Sequence, residues 1–201
     1  MCHYAHMNRY PLIAHLDPES AKAVRELQRE LEVECDTHAV MSEWHPHVSV
    51  GSEAWIEDDQ VDAYTDRLRA ATSGMKPLEI LINGINYIDF WSGGSLPDHT
   101  PYTVFLGVHL SDELKHLMDA VETVTAKERL FYRMHTPYFP HVALAYKDLS
   151  AEGYEIAQKL LRSRRFTLPA RLDHFALAKQ DETGMFEEFR RIDLQGSAVP
   201  K

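Results

Sequence analysis

Two stretches of this chain carry one pattern. Pro46-His47-Val48-Ser49-Val50 returns as Pro140-His141-Val142-Ala143-Leu144, with the histidines 94 positions apart. In a strand, side chains alternate between faces. His47 and Ser49 then share one face and Val48 and Val50 the other. His141 and Ala143 divide in the same way from Val142 and Leu144. The apolar set can anchor each strand in a core while both imidazoles look outward. An imidazole titrates near neutrality, so it gives and takes protons at physiological pH. Two of them flanking a phosphodiester can perform both transfers. One draws a proton from water or a hydroxyl, and the other protonates the leaving oxygen. A hydroxyl two residues along the same strand can hold a phosphoryl oxygen. This scheme needs no metal or other cofactor.

Plainer readings stand beside it. Pro-His-Val can recur by chance, or both histidines can cap strand starts. A metal site is a further alternative. His45 and His47, at i and i+2 on a strand, share a face and could bind zinc, with His38 and His135 as additional ligands. No cysteine supports such a site, and neither His-Glu-x-x-His nor His-x-x-Glu-His occurs. Of the 12 histidines, His3, His6, His15, His99, His109, His116 and His174 read as surface or packing residues.

The elements that must position the pair follow from periodicity. Residues 10–16 read as a strand. Asp17, Pro18 and Glu19 then open a helix with Val24, Leu27 and Leu31 at helical spacing. The first motif strand follows, over 47–50. Asp58 and Asp59 start a second helix with Val61, Tyr64 and Leu68 on one face. Residues 78–88 form a strand interrupted by Gly84, and the breaker-rich loop 92–100 comes next. The second half repeats this order: a strand over 102–110, a helix opened by Ser111, the second motif strand over 141–146, and a helix over 150–163. Strands over 171–178 and 185–194 close the chain. Several consecutive strands have no helix between them, which favours an α+β sandwich over a doubly wound parallel sheet. Residues 196–201 read as a disordered tail.

Length and charge bound the partners. The 201 residues, 44% hydrophobic and 26% charged, suit one domain or two lobes sharing an interface. A formal net charge of −10 argues against long nucleic acid, whose affinity depends on many Lys and Arg contacts to phosphate. It leaves room for a small nucleotide held by a few local donors. Cys2 and Cys35 are too few for a disulfide framework. No apolar run approaches the roughly 20 residues needed to span a bilayer. The expectation is a cytoplasmic monomer with a small-molecule substrate and no membrane.

The paired motifs resemble the two His-x-Ser/Thr motifs of the 2H phosphoesterase superfamily, the LigT-like proteins. The stretch Thr136-Pro137-Tyr138-Phe139-Pro140-His141-Val142-Ala143-Leu144-Ala145-Tyr146 is similar to the second motif of the plant and yeast cyclic phosphodiesterase branch. So is Leu172-Asp173-His174-Phe175-Ala176-Leu177-Ala178-Lys179. The order of elements fits from about residue 10 to residue 193. The resemblance implies one α+β domain, residues 1–201, of two intertwined lobes. It would be a bilobal pseudo-twofold sandwich of two antiparallel sheets with outer helices and an active-site groove between the sheets. It implies a metal-independent phosphodiesterase acting on a 2′,3′-cyclic nucleotide or on ADP-ribose 1″,2″-cyclic phosphate. His141 becomes the base, His47 the acid, and Ser49 a donor to a phosphate oxygen. Tyr146 matches a tyrosine that faces the site in that branch. Counted from His141, however, its odd offset turns it to the core side unless a bulge intervenes.

Two departures qualify the resemblance. Ala143 stands where the family has Ser or Thr, which removes a phosphate hydrogen bond worth about 1–3 kcal/mol. A water or Tyr138 could substitute. The first strand also lacks the tryptophan that the plant branch uses for base stacking. Tyr87, Phe90 and Trp91 are candidates for that role or, equally, for a packed strand end, and loop 92–100 could serve as a lid. The substrate could instead be a 2′–5′ linked or cyclic oligonucleotide signal, or the chain a slow nucleotide-binding module. RNA ligation is disfavoured, since no ATP-handling lysine motif or P-loop occurs.

Overall fold

The structure, a computed structural model, describes residues 7–90, 99–126 and 139–195. Two short strands, β1 (Asn8–Tyr10) and β2 (Leu12–His15), stand where periodicity indicates one. Pro11 between them has no N–H to continue a ladder, and the two strands pair with different partners. Helix α1 (Pro18–Cys35) starts at Asp17, whose carboxylate accepts the Ser20 N–H at 3.0 Å, and it stops at Asp36 in the left-handed region. A short helix α2 (Ala39–Glu43) then leads into the first motif strand, β3 (His47–Ser49).

Strand β4 (Ala54–Ile56) and a 3-10 turn over Asp58–Gln60 precede α3 (Val61–Ala71). The acidic pair Asp58 and Asp59 therefore opens the turn, and the helix proper begins three residues later. Strand β5 (Leu78–Ile88) and β6 (Thr103–Val108) pair antiparallel, with a register shift between Ile82 and Ile85 around Gly84. Gly84 has φ +78°, a conformation that disfavours any side chain with a Cβ. Helix α4 (Asp112–Thr125) is capped by Ser111, which accepts the Leu114 N–H at 3.2 Å. The second motif strand, β7 (His141–Ala145), is followed by α5 (Ala151–Leu161), capped in the same way by Ser150.

The end of the chain corrects the sequence reading. The strand expected over 171–178 is divided at Asp173 into β8 (Thr167–Leu172) and β9 (His174–Gln180), which belong to different sheets. Pro169 hides β8 from a propensity argument. It is tolerated because β8 is an edge strand. Strand β10 (Phe186–Asp193) ends the described chain's ladders.

Two four-stranded antiparallel sheets result, in the orders β10-β9-β2-β3 and β8-β5-β6-β7. Written this way, they follow one plan. β2 corresponds to β6, β3 to β7, and β9 to β5. The halves are intertwined, because β5 comes from the first half and completes the second sheet, while β9 does the reverse. The helices exchange as well. α1 follows β2 but packs on α5, β7 and β8, and α4 follows β6 but packs with α3. Val48, Val50, Val142 and Leu144 point into the core these layers enclose, as alternation requires. Burying each contributes about 1.5–3 kcal/mol. The motif strands are the inner edges of their sheets and lie beside one another.

Candidate active site

Register assigns the groove face. On the first sheet, His47 lies opposite His15, and Ser49 opposite Ile13, so all four share a face. On the second, His141 lies opposite Gly107, and Ala143 opposite Phe105. His47, Ser49, His141 and Ala143 are all partly exposed, while the alternating Val48 and Val142 are buried. The structure thus brings the two expected half-sites together at the junction of the sheets.

Both histidines are held by one device. His47 Nδ1 donates to the His45 carbonyl at 2.7 Å, and His141 Nδ1 donates to the Phe139 carbonyl at 3.0 Å. In each case the acceptor is two residues upstream. A carbonyl only accepts, so the neutral ring carries its proton on Nδ1 and its lone pair on Nε2. Burial is the largest influence on each and lowers the proton affinity of both. For His47 the value is pushed down to about 4, with the imidazoles of His15, His141 and His45 opposing a further positive charge. Both rings are therefore neutral at pH 7 when nothing negative lies between them.

His47 also rests on an aromatic pile. The Trp44 ring lies 4.7 Å from the His47 ring, and Phe186 stacks on the far side of Trp44 at 4.0 Å and 7°. The Arg9 guanidinium covers Phe186 at 5.3 Å and pairs with Glu53. Beside His141, Phe105 and Phe139 lie 5.3 and 5.5 Å from its ring. Phe139 is 41% exposed and offers an aromatic surface at the groove.

Tyr146 reaches this site by the bulge that alternation demands. The ladder between β6 and β7 shifts register between Val104 and Phe105, so Leu144 and Ala145 together face Val104, and both are buried. The extra residue resets the alternation, and Tyr146 joins the groove-side cluster of Ile13, Trp44, Ala178 and Phe186. Its hydroxyl accepts from Trp44 Nε1 at 2.8 Å and donates to Glu43 at 3.2 Å. Burial, reinforced by Glu43, raises its proton affinity. Its hydrogen is thus engaged by Glu43, and what Tyr146 holds is the indole against His47.

The chain after β7 grips the approach to β3 at two further points. Lys147 adopts a left-handed φ of 71° and pairs with Glu43. Asp148 caps α2, accepting from Thr37 Oγ1 at 2.6 Å and from the N–H groups of His38 and Ala39 at 2.7 and 2.9 Å. The second motif thereby positions the first. On β7 itself, Gln28 of α1 donates to the Ala143 carbonyl at 2.8 Å.

Other expected residues fall elsewhere. Trp91, Tyr138, His135, most of loop 92–100 and the tail 196–201 lie outside the described residues. Tyr87 packs against the core with its ring edge-on to Tyr154, and Phe90 is 78% exposed with no place in the groove cluster. His45 turns to Glu187 and His38 to Glu32 and Asp36, so the zinc alternative is not assembled from these residues. Among the described residues no group of three or more His, Cys, Asp or Glu is arranged to hold a metal ion. No helix among them is long and apolar enough to cross a membrane. Sequence reasoning missed Trp44, Phe186 and Phe105. An aromatic residue just upstream of each motif, Trp44 and Phe139, was the signal available.

Two sheets meeting along paired histidine strands define the class of the 2H phosphoesterases. Comparison agrees. A model of the 2′-5′ RNA ligase superfamily matches residues 53–184, about two thirds of the chain, and the chain belongs to that superfamily. The match contains His141, and His47 lies just upstream of it. In fold the chain is similar to TT0787 of Thermus thermophilus, at 15% identity and TM-score 0.63, covering 94% of this chain and 100% of that one. It is similar also to LigT of E. coli complexed with 3′-AMP, at 13% identity and TM-score 0.59, covering 94% and 99%. A third likeness is to a crystal structure of a phosphoesterase, at 12% identity and TM-score 0.55, covering 93% and 98%. Comparison with the curated proteins gives no match.

Proposed function

We propose that this chain is a metal-independent phosphodiesterase that hydrolyses a small nucleotide-derived cyclic phosphate. Its substrate would be a 2′,3′-cyclic nucleotide or ADP-ribose 1″,2″-cyclic phosphate. The observation that carries the reading is the duplicated tautomer device, which leaves the lone pair of each neutral ring on Nε2, on two motif strands that lie side by side. In the reaction, a water attacks phosphorus and gives its proton to His141 Nε2. The P–O bond to the leaving oxygen breaks, and that oxygen takes a proton from His47 Nε2. The product is a phosphomonoester. A His47 imidazolium of low proton affinity is a strong acid, and the bound phosphate supplies the negative charge that lets it load a proton. Ser49, on the same face as His47, donates to a phosphoryl oxygen. LigT of E. coli has been crystallised with 3′-AMP, ATP, NADP+ and phosphate, ligands that all carry phosphate. That supports a phosphate-directed groove here.

The test is turnover of a panel of 2′,3′-cyclic nucleotides with excess EDTA. Activity should persist, and His47→Ala and His141→Ala should each lose about 10²- to 10⁴-fold in rate. Abolition by EDTA overturns the mechanism, and an unchanged rate in either variant removes that residue from it. Ala143 favours one further reading. A half-site without its hydroxyl holds phosphate less well, which suits a slow enzyme or a nucleotide-binding module. Tight stoichiometric binding without product would select the binding module. Faster cleavage of 2′–5′ linked or cyclic oligonucleotides would move the substrate class.

A further inference from the structure

The two sides of the groove differ at one register position. Gly107 stands opposite His141, but His15 stands opposite His47. His15 belongs to a polar cluster that the proton-transfer scheme does not use. Glu188 accepts a hydrogen bond from His174 Nε2, and the same carboxylate oxygen lies 3.1 Å from His15 Nδ1. His15 Nε2 and His174 Nδ1 lie on the other side of each ring. Both are buried, and neither has a hydrogen-bond partner among the described residues.

An open cleft of about 610 Å³ lies over this cluster, within the size range of small-molecule sites. Its ionic lining is Arg171 and Arg191 against Asp17, Asp173, Glu187 and Glu188. Each arginine Nε is already engaged at 2.6 Å, Arg171 by Asp173 and Arg191 by Asp193. The cleft is therefore rich in acceptors and negative in balance.

We propose that this cleft is a subsite for the part of the substrate beyond His47, and that it selects an uncharged, donor-bearing group such as the amino edge of a nucleobase. The placement of the phosphate rests on the phosphodiester reading above. The Glu187 and Glu188 carboxylates line the cleft and accept hydrogen bonds from a ligand N–H. A second phosphate would meet like charge and is turned away.

Guanosine and inorganic phosphate, added separately to the full chain, test the subsite by NMR of the histidine ring protons. Guanosine should shift His15 and His174 saturably, and inorganic phosphate should shift His47 and His141. Glu188→Gln should weaken the guanosine response at least tenfold while the phosphate response, which reports an intact fold, stays within twofold. Absence of guanosine shifts at His15 and His174, or an equal response in the variant, overturns the subsite. In kinetics, guanosine 2′,3′-cyclic phosphate should exceed its 5′-phosphorylated form at least tenfold in kcat/KM, and equal values overturn the selection against phosphate. If no cyclic phosphate is hydrolysed while guanosine still shifts both rings, the proposed function falls and the subsite stands.

Discussion

Acidification should destabilise this protein through His47 in a way that can be isolated. The ring is half-buried against Trp44 and faces three other imidazoles, and its value falls from the ordinary 6.5 to about 4. In the unfolded chain His47 takes its proton near pH 6.5, while in the folded protein it resists until about pH 4. The unfolded state therefore binds more protons throughout that window, and stability falls as pH falls through it. The stability is intact above 6.5 and fully lost below 4. The whole separation corresponds to about 3 kcal/mol, of which about 2 kcal/mol is lost between pH 7 and pH 5. Other histidines also titrate, so the useful quantity is a difference. Urea unfolding of wild type and His47→Gln at pH 7, 6 and 5 supplies it. The gap in unfolding free energy, wild type minus variant, should shrink by about 2 kcal/mol over this range. Curves that stay parallel within about 0.5 kcal/mol, near the resolution of such extrapolations, would refute the account of a cation-averse His47.

Three further perturbations probe the site. Ala143→Ser restores a hydroxyl on the face of His141 and should raise kcat/KM about 5- to 150-fold, equivalent to about 1–3 kcal/mol; an unchanged rate means that position 143 does not meet the phosphate. Trp44→Leu removes the wall on His47 and the Phe186 stack, so it should lose about 2–4 kcal/mol of stability and raise the His47 value toward 6.5 in an NMR titration. A value that stays low would assign the effect to the surrounding imidazoles instead. Asp148→Ala deletes three bonds to the start of α2 and should cost about 2–4 kcal/mol in urea unfolding, with kcat reduced because α2 leads into Trp44; a loss under about 1 kcal/mol would mean that the cap does not hold the segment.

Some of this site is legible without coordinates because it depends on local rules. Helix starts at Asp17, Ser111 and Ser150 follow from side chains that accept the orphan N–H groups of a first turn. The division of His47 and Ser49 from Val48 follows from the two-residue period of any strand. Other parts depend on partners distant in sequence. The split at Asp173 is invisible locally, because β8 and β9 have similar character and differ only in which sheet accepts them. His15 and His174 read as packing residues until register brings both to Glu188.

Periodicity and residue chemistry alone establish two equivalent strands, each with one outward imidazole over apolar anchors, and a hydroxyl retained only at Ser49. They suffice for that because they act within a few residues along the backbone. What surrounds the imidazoles came from the folded arrangement. A register shift on β7 brought Tyr146 to the groove side, against the alternation counted from His141. Tyr146, Lys147 and Asp148 then clasped the segment that carries Trp44 onto His47. Such contacts span about 100 residues or more of chain. They are chosen by competition among whole sheet pairings and buried polar partners, which no local pattern encodes.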